Sequence, residues 1–234
     1  MCLKGIVYKN PKVCYTFGEY KKVEEFHMRK SLFALLLGVF LFLSMPGLSE
    51  PLKTGDRLYL GQWAGEDLTF SVIETEPGRA LLLCDSAIGL AMYNEDNKDV
   101  TWEKSSLRAF LNGDFYASAF TSEEKAQILS TVLETPSSFG TEGGSPTTDY
   151  LFLLTPAEVE RLLPTRWSRK VSPGPAVRTD ASYSPVYDNT ITWWLRSPGV
   201  DQKHAAAVDF TGRIQSHGIK AMLGVRPALY LGTH

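Results

Sequence analysis

Cysteine is scarce in this chain: three occur in 234 residues, and none lies beyond Cys84. Cys2 and Cys14 fall within residues 1–27, which show neither clear periodicity nor a cleavage site and read as a non-native N-terminal extension ahead of Met28. Cys84 is then the single thiol of the mature domain, so no intramolecular disulfide is available to it. It closes the apolar run Ala80-Leu81-Leu82-Leu83, the setting of a buried, inert thiol. Nucleophile motifs are missing too. Ser145 sits in Gly143-Gly144-Ser145-Pro146-Thr147 and Ser197 in Leu195-Arg196-Ser197-Pro198-Gly199, and neither completes the Gly-x-Ser-x-Gly elbow that exposes a serine above a sheet. Histidines number only four. His204 with Asp201 and His217 with Asp209 offer loose pairs, whereas zinc needs about three or four converging ligands. They read as solvated loop histidines. Asn94-Glu95-Asp96-Asn97-Lys98-Asp99 carries the hard oxygen donors that calcium prefers, but it lacks the EF-hand pattern with its central Gly and reads as a solvated acidic loop. These absences leave no catalytic residue, no metal site and no cofactor to expect.

Apolar residues make up 44% and charged residues 21%, an ordinary globular balance that excludes wholesale disorder. The formal charge of −2 conceals an asymmetry. Residues 1–49 hold 7 Lys/Arg against 3 Asp/Glu, which leaves 17 against 23, a net −6, for the remainder. So acidic a domain argues against nucleic-acid or broad anionic-membrane binding. The apolar run Leu32 to Met45 follows the basic Met28-Arg29-Lys30 and precedes Pro46-Gly47-Leu48-Ser49, which sets small residues where a signal peptidase reads them for a cut before Glu50. As a helix, that run rises only about 21 Å, short of a hydrocarbon core of about 30 Å. Residues 28–49 therefore read as a cleavable signal peptide and residues 50–234 as a single globular domain. No cysteine directly follows the apolar run to accept a lipid, and no hydrophobic tail closes the chain. The expected location is extracellular, with no stable membrane span after signal cleavage; the alternative is retention at the membrane by an uncleaved signal.

Along the domain, Arg57 to Leu60 and Leu68 to Glu74 read as strands, and Glu76-Pro77-Gly78 turns the chain back into Arg79 to Cys84. Leu107, Phe110, Leu111 and Phe115 recur at helical spacing, with Ser105 or Ser106 as cap. Thr121-Ser122-Glu123-Glu124 is a capping box, in which the Thr oxygen and the Glu carboxylate satisfy each other's backbone donors. Tyr150 to Leu154 reads as a short apolar strand running into Thr155-Pro156-Ala157-Glu158. That segment sets a cap, a Pro at the first helical position and a Glu three residues after the cap. Pro164 to Asn189 shows no sustained periodicity and reads as one long loop. Thr192 to Arg196, Ala206 to Phe210, Arg213 to His217 and Gly224 to Leu231 read as strands, with Thr211-Gly212 as a hairpin turn. Strands at both ends with helices between them indicate a single compact α+β domain with short antiparallel strands.

Two late motifs, Trp193-Trp194-Leu195-Arg196-Ser197-Pro198-Gly199 and Gly224-Val225-Arg226-Pro227-Ala228-Leu229, resemble an uncharacterised bacterial family, domain of unknown function 6273. The resemblance extends to Ala80-Leu81-Leu82-Leu83, Trp102, Ser106-Leu107-Arg108, Leu111-Asn112 and Phe115-Tyr116, and covers most of residues 68–231. It implies a compact α+β fold and brings no established activity. The terminal motif pair is also similar to a C-type-lectin-like fold of the kind found in formylglycine-generating enzymes and bacterial variable binding proteins. Such an enzyme needs reactive cysteines late in the domain, and none follows Cys84, so the resemblance leaves a scaffold that hosts unrelated functions. Within it, Trp193, Trp194, Arg196, Gly224 and Arg226 are expected to be structural, the two arginines as buried, hydrogen-bonded struts.

One segment reverses the local sign of charge. Arg161, Arg166, Arg169, Lys170 and Arg178 occur with no acid among residues 161–178, and Trp167 lies between them. Arg grips carboxylate or phosphate bidentately, and Trp offers a face to sugars or cations. Arg166, Trp167, Arg169, Lys170, Arg178, Tyr183 and Tyr187 are the candidate ligand-binding residues. The expected function is a secreted binding or structural module for an extracellular glycan, anionic cell-wall polymer or protein. The alternative is a secreted hydrolase without a recognisable motif.

Overall fold

A pair of hairpins opens the domain. β1 (Arg57–Trp63) and β2 (Glu66–Glu76) turn at Ala64-Gly65, whose φ values of 53° and 83° are the left-handed pair that a tight hairpin turn requires. β3 (Arg79–Cys84) returns from β2 through Pro77-Gly78. In β2 the core-facing Leu68, Phe70 and Val72 alternate with more open residues, whereas Ala80 to Cys84 of β3 are buried without a break. β3 is a central strand, and a strand covered on both faces carries a continuous apolar run. The computed structural model describes residues 51–181, 183 and 187–233, so the expectations for residues 1–27 and for the signal peptide at 28–49 lie outside the described residues.

The remaining strands are β4 (Ser86–Ala87), β5 (Leu90–Ala91), β6 (Ile128–Leu129), β7 (Thr131–Leu133), β8 (Thr147–Asp149), β9 (Ser172–Pro173), β10 (Trp193–Pro198), β11 (His204–Val208), β12 (Ile214–Gly218), β13 (Leu223–Gly224) and β14 (Ala228–Gly232). They form one five-stranded sheet in the order β1-β2-β3-β14-β6, a second in the order β12-β11-β10-β13-β5, and two small pairs, β4-β9 and β7-β8. Helices and sheets are both present in a single compact fold in which strands predominate.

Gly224 to Leu231, expected as one strand, is two. β13 lies parallel to β10 in the second sheet, with Gly224 opposite Trp193, and β14 lies antiparallel to β3 in the first. Val225-Arg226-Pro227 carries the chain from one sheet to the other. Pro227 has no N–H to give a ladder, and its carbonyl accepts the Cys84 N–H at 2.9 Å. The apolar Tyr150 to Leu154 is not a strand either. Only Phe152 bridges, to Ala228. The Asn112 side chain takes over the ladder's work, accepting from the N–H groups of Tyr150 (2.8 Å) and Leu151 (3.2 Å) and donating to the Leu151 carbonyl (2.8 Å). Leu151 to Leu154 are all buried, so the run is apolar because the core surrounds it.

Ser105 caps α1 (Ser106–Phe110), which widens into a π-helical turn at Leu111–Phe115 and continues as α2 (Tyr116–Ala119). α3 (Ser122–Gln127) starts at the complete Thr121–Glu124 capping box, and α4 (Pro156–Leu162) at the Thr155–Glu158 box with Pro156 in its first turn. The segment expected as a structureless loop from Pro164 to Asn189 contains α5 (Arg166–Arg169), β9 and α6 (Pro175–Arg178). Thr165 and Ser168 make the reciprocal cap of α5, a pairing that lacks the Glu of the usual box.

Candidate functional site

The two motif arginines lie inside the fold. Arg196 is 3% exposed and meets the Glu158 carboxylate with both terminal nitrogens, at 2.6 and 2.8 Å. Its remaining donors reach the carbonyls of Leu153 (2.6 Å) and Glu134 (3.2 Å). Glu158 thus serves twice, closing the α4 cap through the Thr155 N–H at 2.7 Å and neutralising the guanidinium. Arg226 is 7% exposed and has no such carboxylate. Its Nε donates to the Cys84 carbonyl at 2.8 Å, its guanidinium lies 5.1 Å from the Trp193 ring centroid, and its Nη1 has no hydrogen-bond partner among the described residues. Burial pushes this arginine down to about 10, against the weaker opposing influence of Cys84 and Asp85. The same burial pushes the Cys84 thiol up to about 11, which keeps it protonated and unreactive. Trp194 is fully buried, its Nε1 donating to the Ala91 carbonyl at 2.8 Å. Gly224 is tightly packed: a Cβ there would lie 2.7 Å from the Ile191 Cδ1 methyl and 3.1 Å from the Thr192 carbonyl oxygen, so Ile191 would have to shift.

The candidate loop residues divide. Trp167 is 76% exposed on the single turn of α5, and Arg166 beside it is also exposed. Lys170 lies 5.1 Å from the Trp167 ring centroid and pairs with Asp188 at 2.8 Å, so the ring is propped from one side by a charge that is itself held. Asp188 arrives on the short turn Tyr187–Asn189 with φ 69°. Arg169 faces inward: its Nε donates to the Leu163 carbonyl at 2.7 Å, and its own carbonyl accepts the buried Trp193 Nε1 at 2.9 Å. Arg178 stands elsewhere, on α6, donating to the Pro173 carbonyl at 2.7 Å. Tyr183 donates to the Asn189 Oδ1 at 3.1 Å.

The turn between β11 and β12 completes this surface. A Cβ on Gly212 would lie 2.1 Å from the Arg166 carbonyl oxygen, so the turn seats directly on the first residue of α5. The Asp209 carboxylate shapes it by accepting from Thr211 N (2.8 Å), Thr211 Oγ1 (2.7 Å) and Arg213 N (2.9 Å). Although burial works to raise the Asp209 pKa, these donors hold it below the usual range. Phe210, 45% exposed, gives its carbonyl to Thr190 Oγ1 at 3.0 Å. The result is an exposed Trp and Arg on a fixed turn of helix, against whose first residue the β11–β12 turn is seated.

Among the described residues, His204 and His217 do not converge on a reaction centre. His204 Nδ1 lies 2.6 Å from Asp201 Oδ1, and this hydrogen bond lowers the Asp201 pKa. That same oxygen accepts the Lys203 N–H and the Asp201 carbonyl accepts the His204 N–H, so the pair belongs to a local turn. His217 is half-buried, and burial lowers its pKa. No group of three or more His, Cys, Asp or Glu side chains is placed to hold a metal among the described residues. No described helix is long and apolar enough to cross a membrane.

Sequence reasoning passed over Glu158, Asp149 and Tyr93. Asp149 is fully buried and gathers Trp102 Nε1 (2.9 Å), Thr147 Oγ1 (2.8 Å) and Arg108 (2.7 Å). Tyr93 donates to the Arg196 carbonyl at 2.7 Å. The signal for Glu158 was its place in a capping box, which explained it fully and hid its second partner.

The model of the family "Domain of unknown function (DUF6273)" matches residues 77–233. This chain belongs to that family. The matched segment holds both motif arginines, Trp167 and its supporting turns, and leaves out β1 and β2. No curated protein and no solved structure matches the chain.

Proposed function

We propose that this member of the family is an extracellular binding module that takes an anionic or glycan ligand on the surface around Arg166 and Trp167. One observation carries the reading. A tryptophan left 76% exposed sits on a turn of helix that is capped, propped by Lys170 and tied to the core through Trp193. Burying that ring on a ligand removes apolar area from water, at about 25 cal/mol per Å², and a preformed mount lowers the ordering cost of doing so. Arg166 beside it supplies a bidentate donor for carboxylate or phosphate.

The scaffold that goes with this reading is C-type-lectin-like. The adjacency of the Trp-Trp-Leu-Arg strand β10 and the Gly-Val-Arg segment beginning at β13 supports it. The basic, apolar and small-residue succession of residues 28–49 supports export. The test is a screen of glycans and anionic cell-wall polymers against residues 50–234, repeated for Trp167→Ala and Arg166→Ala. Both variants lose affinity if the surface is the site, and the wild-type affinity falls with salt, because exposed charges are screened within about 8 Å at physiological ionic strength. Retained affinity in both variants refutes the assignment.

A further inference from the structure

A separate groove has the opposite kind of chemistry: acidic on balance, hydroxyl-rich, and centred on a tyrosine. Tyr59, on the edge strand β1, is 80% exposed and borders two clefts, of about 430 and 400 Å³. Each falls within the range of about 300–1,000 Å³ typical of small-molecule sites. The first cleft presents Gln62, Asp67 and Glu124, the second Arg57, Glu66, Asp85 and Arg178, and Asp67 borders both. These planar polar groups are held in place. Gln62 Nε2 donates to Asp67 Oδ1 at 2.7 Å, Asp85 accepts from Ser71 Oγ at 2.5 Å and pairs with Arg57 at 3.3 Å, and Arg178 is anchored on the Pro173 carbonyl. Glu124 accepts the Gly61 and Thr121 N–H groups, each at 2.7 Å.

We propose that this groove binds a neutral linear oligosaccharide, with Tyr59 stacked on a sugar ring at the saddle between the clefts. A sugar ring offers an apolar C–H face to an aromatic side chain and a rim of hydroxyls that both donate and accept. Fixed carboxylates, an amide and guanidinium groups beside an exposed ring match both surfaces. Four carboxylates, Glu66, Asp67, Asp85 and Glu124, outnumber the two guanidinium groups of Arg57 and Arg178, which disfavours an anionic polymer, and Asp67, Asp85 and Glu124 already accept from Gln62, Ser71 and backbone N–H groups, which leaves a cationic one little to gain. A ligand that reaches both clefts has to cross Tyr59, which calls for a chain rather than a single sugar. An extended peptide adding to the β1 edge is the poorer fit, because the register of β1 shifts between Tyr59 and Gln62 and the Gly61 N–H is already taken by Glu124. The groove also needs both parts of the chain. Arg57, Tyr59, Gln62 and Asp67 precede the segment matched by the family, while Asp85, Glu124 and Arg178 lie within it. Sugar binding here thus draws on residues from both sides of the boundary of the matched segment.

The site is independent of the Trp167 surface, and the experiment separates the two. The full chain is titrated with neutral linear tetrasaccharides of glucose, N-acetylglucosamine, mannose and galactose, by calorimetry and by NMR. At least one binds, with an affinity insensitive to salt. Tyr59→Ala weakens it by about five- to tenfold, the scale of one aromatic stacking contact. Tyr59→Trp retains binding and Trp167→Ala leaves it unchanged. Because Tyr59 is 80% exposed, the Tyr59→Ala protein melts with the wild type, which the same samples verify. Absence of binding by every tetrasaccharide at millimolar concentration, or binding that survives Tyr59→Ala, or binding lost in Trp167→Ala, overturns the proposal.

Discussion

Trp193-Trp194-Leu195-Arg196 and Arg166-Trp167-Ser168-Arg169 draw on nearly the same side chains, yet the first is buried throughout while the second leaves Trp167 76% exposed. The difference lies in what surrounds them. β10 runs between β11 and β13 as a central strand, and its arginine is covered because Glu158 and two carbonyls meet its charge. α5 is one turn long and rests on the protein through its backbone, with the Arg169 carbonyl accepting from Trp193. Burying an arginine requires that its charge be met; exposing a tryptophan requires only that its backbone be anchored. The inner segment therefore mounts the outer one.

The sharpest way to break this comparison is Arg196→Ala. It leaves Glu158 facing a buried site without its counter-charge, and breaking a buried pair costs about 3–5 kcal/mol. Denaturant unfolding of the variant measures it, and a loss below 1 kcal/mol (about the value of an exposed pair) shows the strut to be dispensable. Arg226→Met ranks next. Its partners are a carbonyl and a ring face, so the loss is that of one buried hydrogen bond, about 1–3 kcal/mol, partly offset by removing a charge whose burial is unfavourable. A stability loss as large as that of Arg196→Ala would mean that Arg226 has an acidic partner in solution.

Acid probes the surface. The hydrogen bond from Arg161, with its charge, holds the Glu74 carboxyl below the usual range even though burial opposes it. A carboxylate depressed in the folded state contributes stability that is full above its unfolded pKa and is lost as pH falls through the folded value. Stability should therefore decline below about pH 4.5, and Arg161→Ala should make that decline shallower by a small amount, since the pair is largely solvated. An unchanged acid limb in the variant removes Glu74 from the account.

The smallest expected stability effect belongs to Trp167→Ala. An exposed side chain away from the core changes stability by no more than about 0.5 kcal/mol, so the melting curve should overlay the wild type. A clear drop would show the ring packing onto a surface that the fold needs.

Local chemistry was readable from residues. Thr121 with Glu124, Thr155 with Glu158, and Pro77-Gly78 each specify their geometry within a few residues, and the structure has them. Long-range partnership was not readable. Nothing near Tyr150 to Leu154 says that Asn112, some 39 residues earlier, supplies its hydrogen bonds. Nothing in Arg166 to Arg178 announces Asp188 as the acid that meets Lys170, nor that Arg169 and Arg178 spend their donors on loop carbonyls. The Tyr59 groove was invisible for the same reason: its walls come from β1, β2, α2, α3, β4 and α6, and only the fold brings them together.

Direct measurement of ligand binding at α5 tests the central claim, that the mount is structural and the mounted tryptophan is the binding face. Wild type, Trp167→Ala and Trp193→Phe are titrated with the tightest ligand from the glycan and cell-wall polymer screen, with melting recorded on the same samples. The account predicts that Trp167→Ala loses about tenfold in affinity, or about 1.4 kcal/mol, with no change in melting. It predicts that Trp193→Phe loses stability by at least about 1 kcal/mol, through the missing bond to the Arg169 carbonyl and the cavity the smaller ring leaves. Unchanged affinity in Trp167→Ala, on a fold that melts with the wild type, would contradict it.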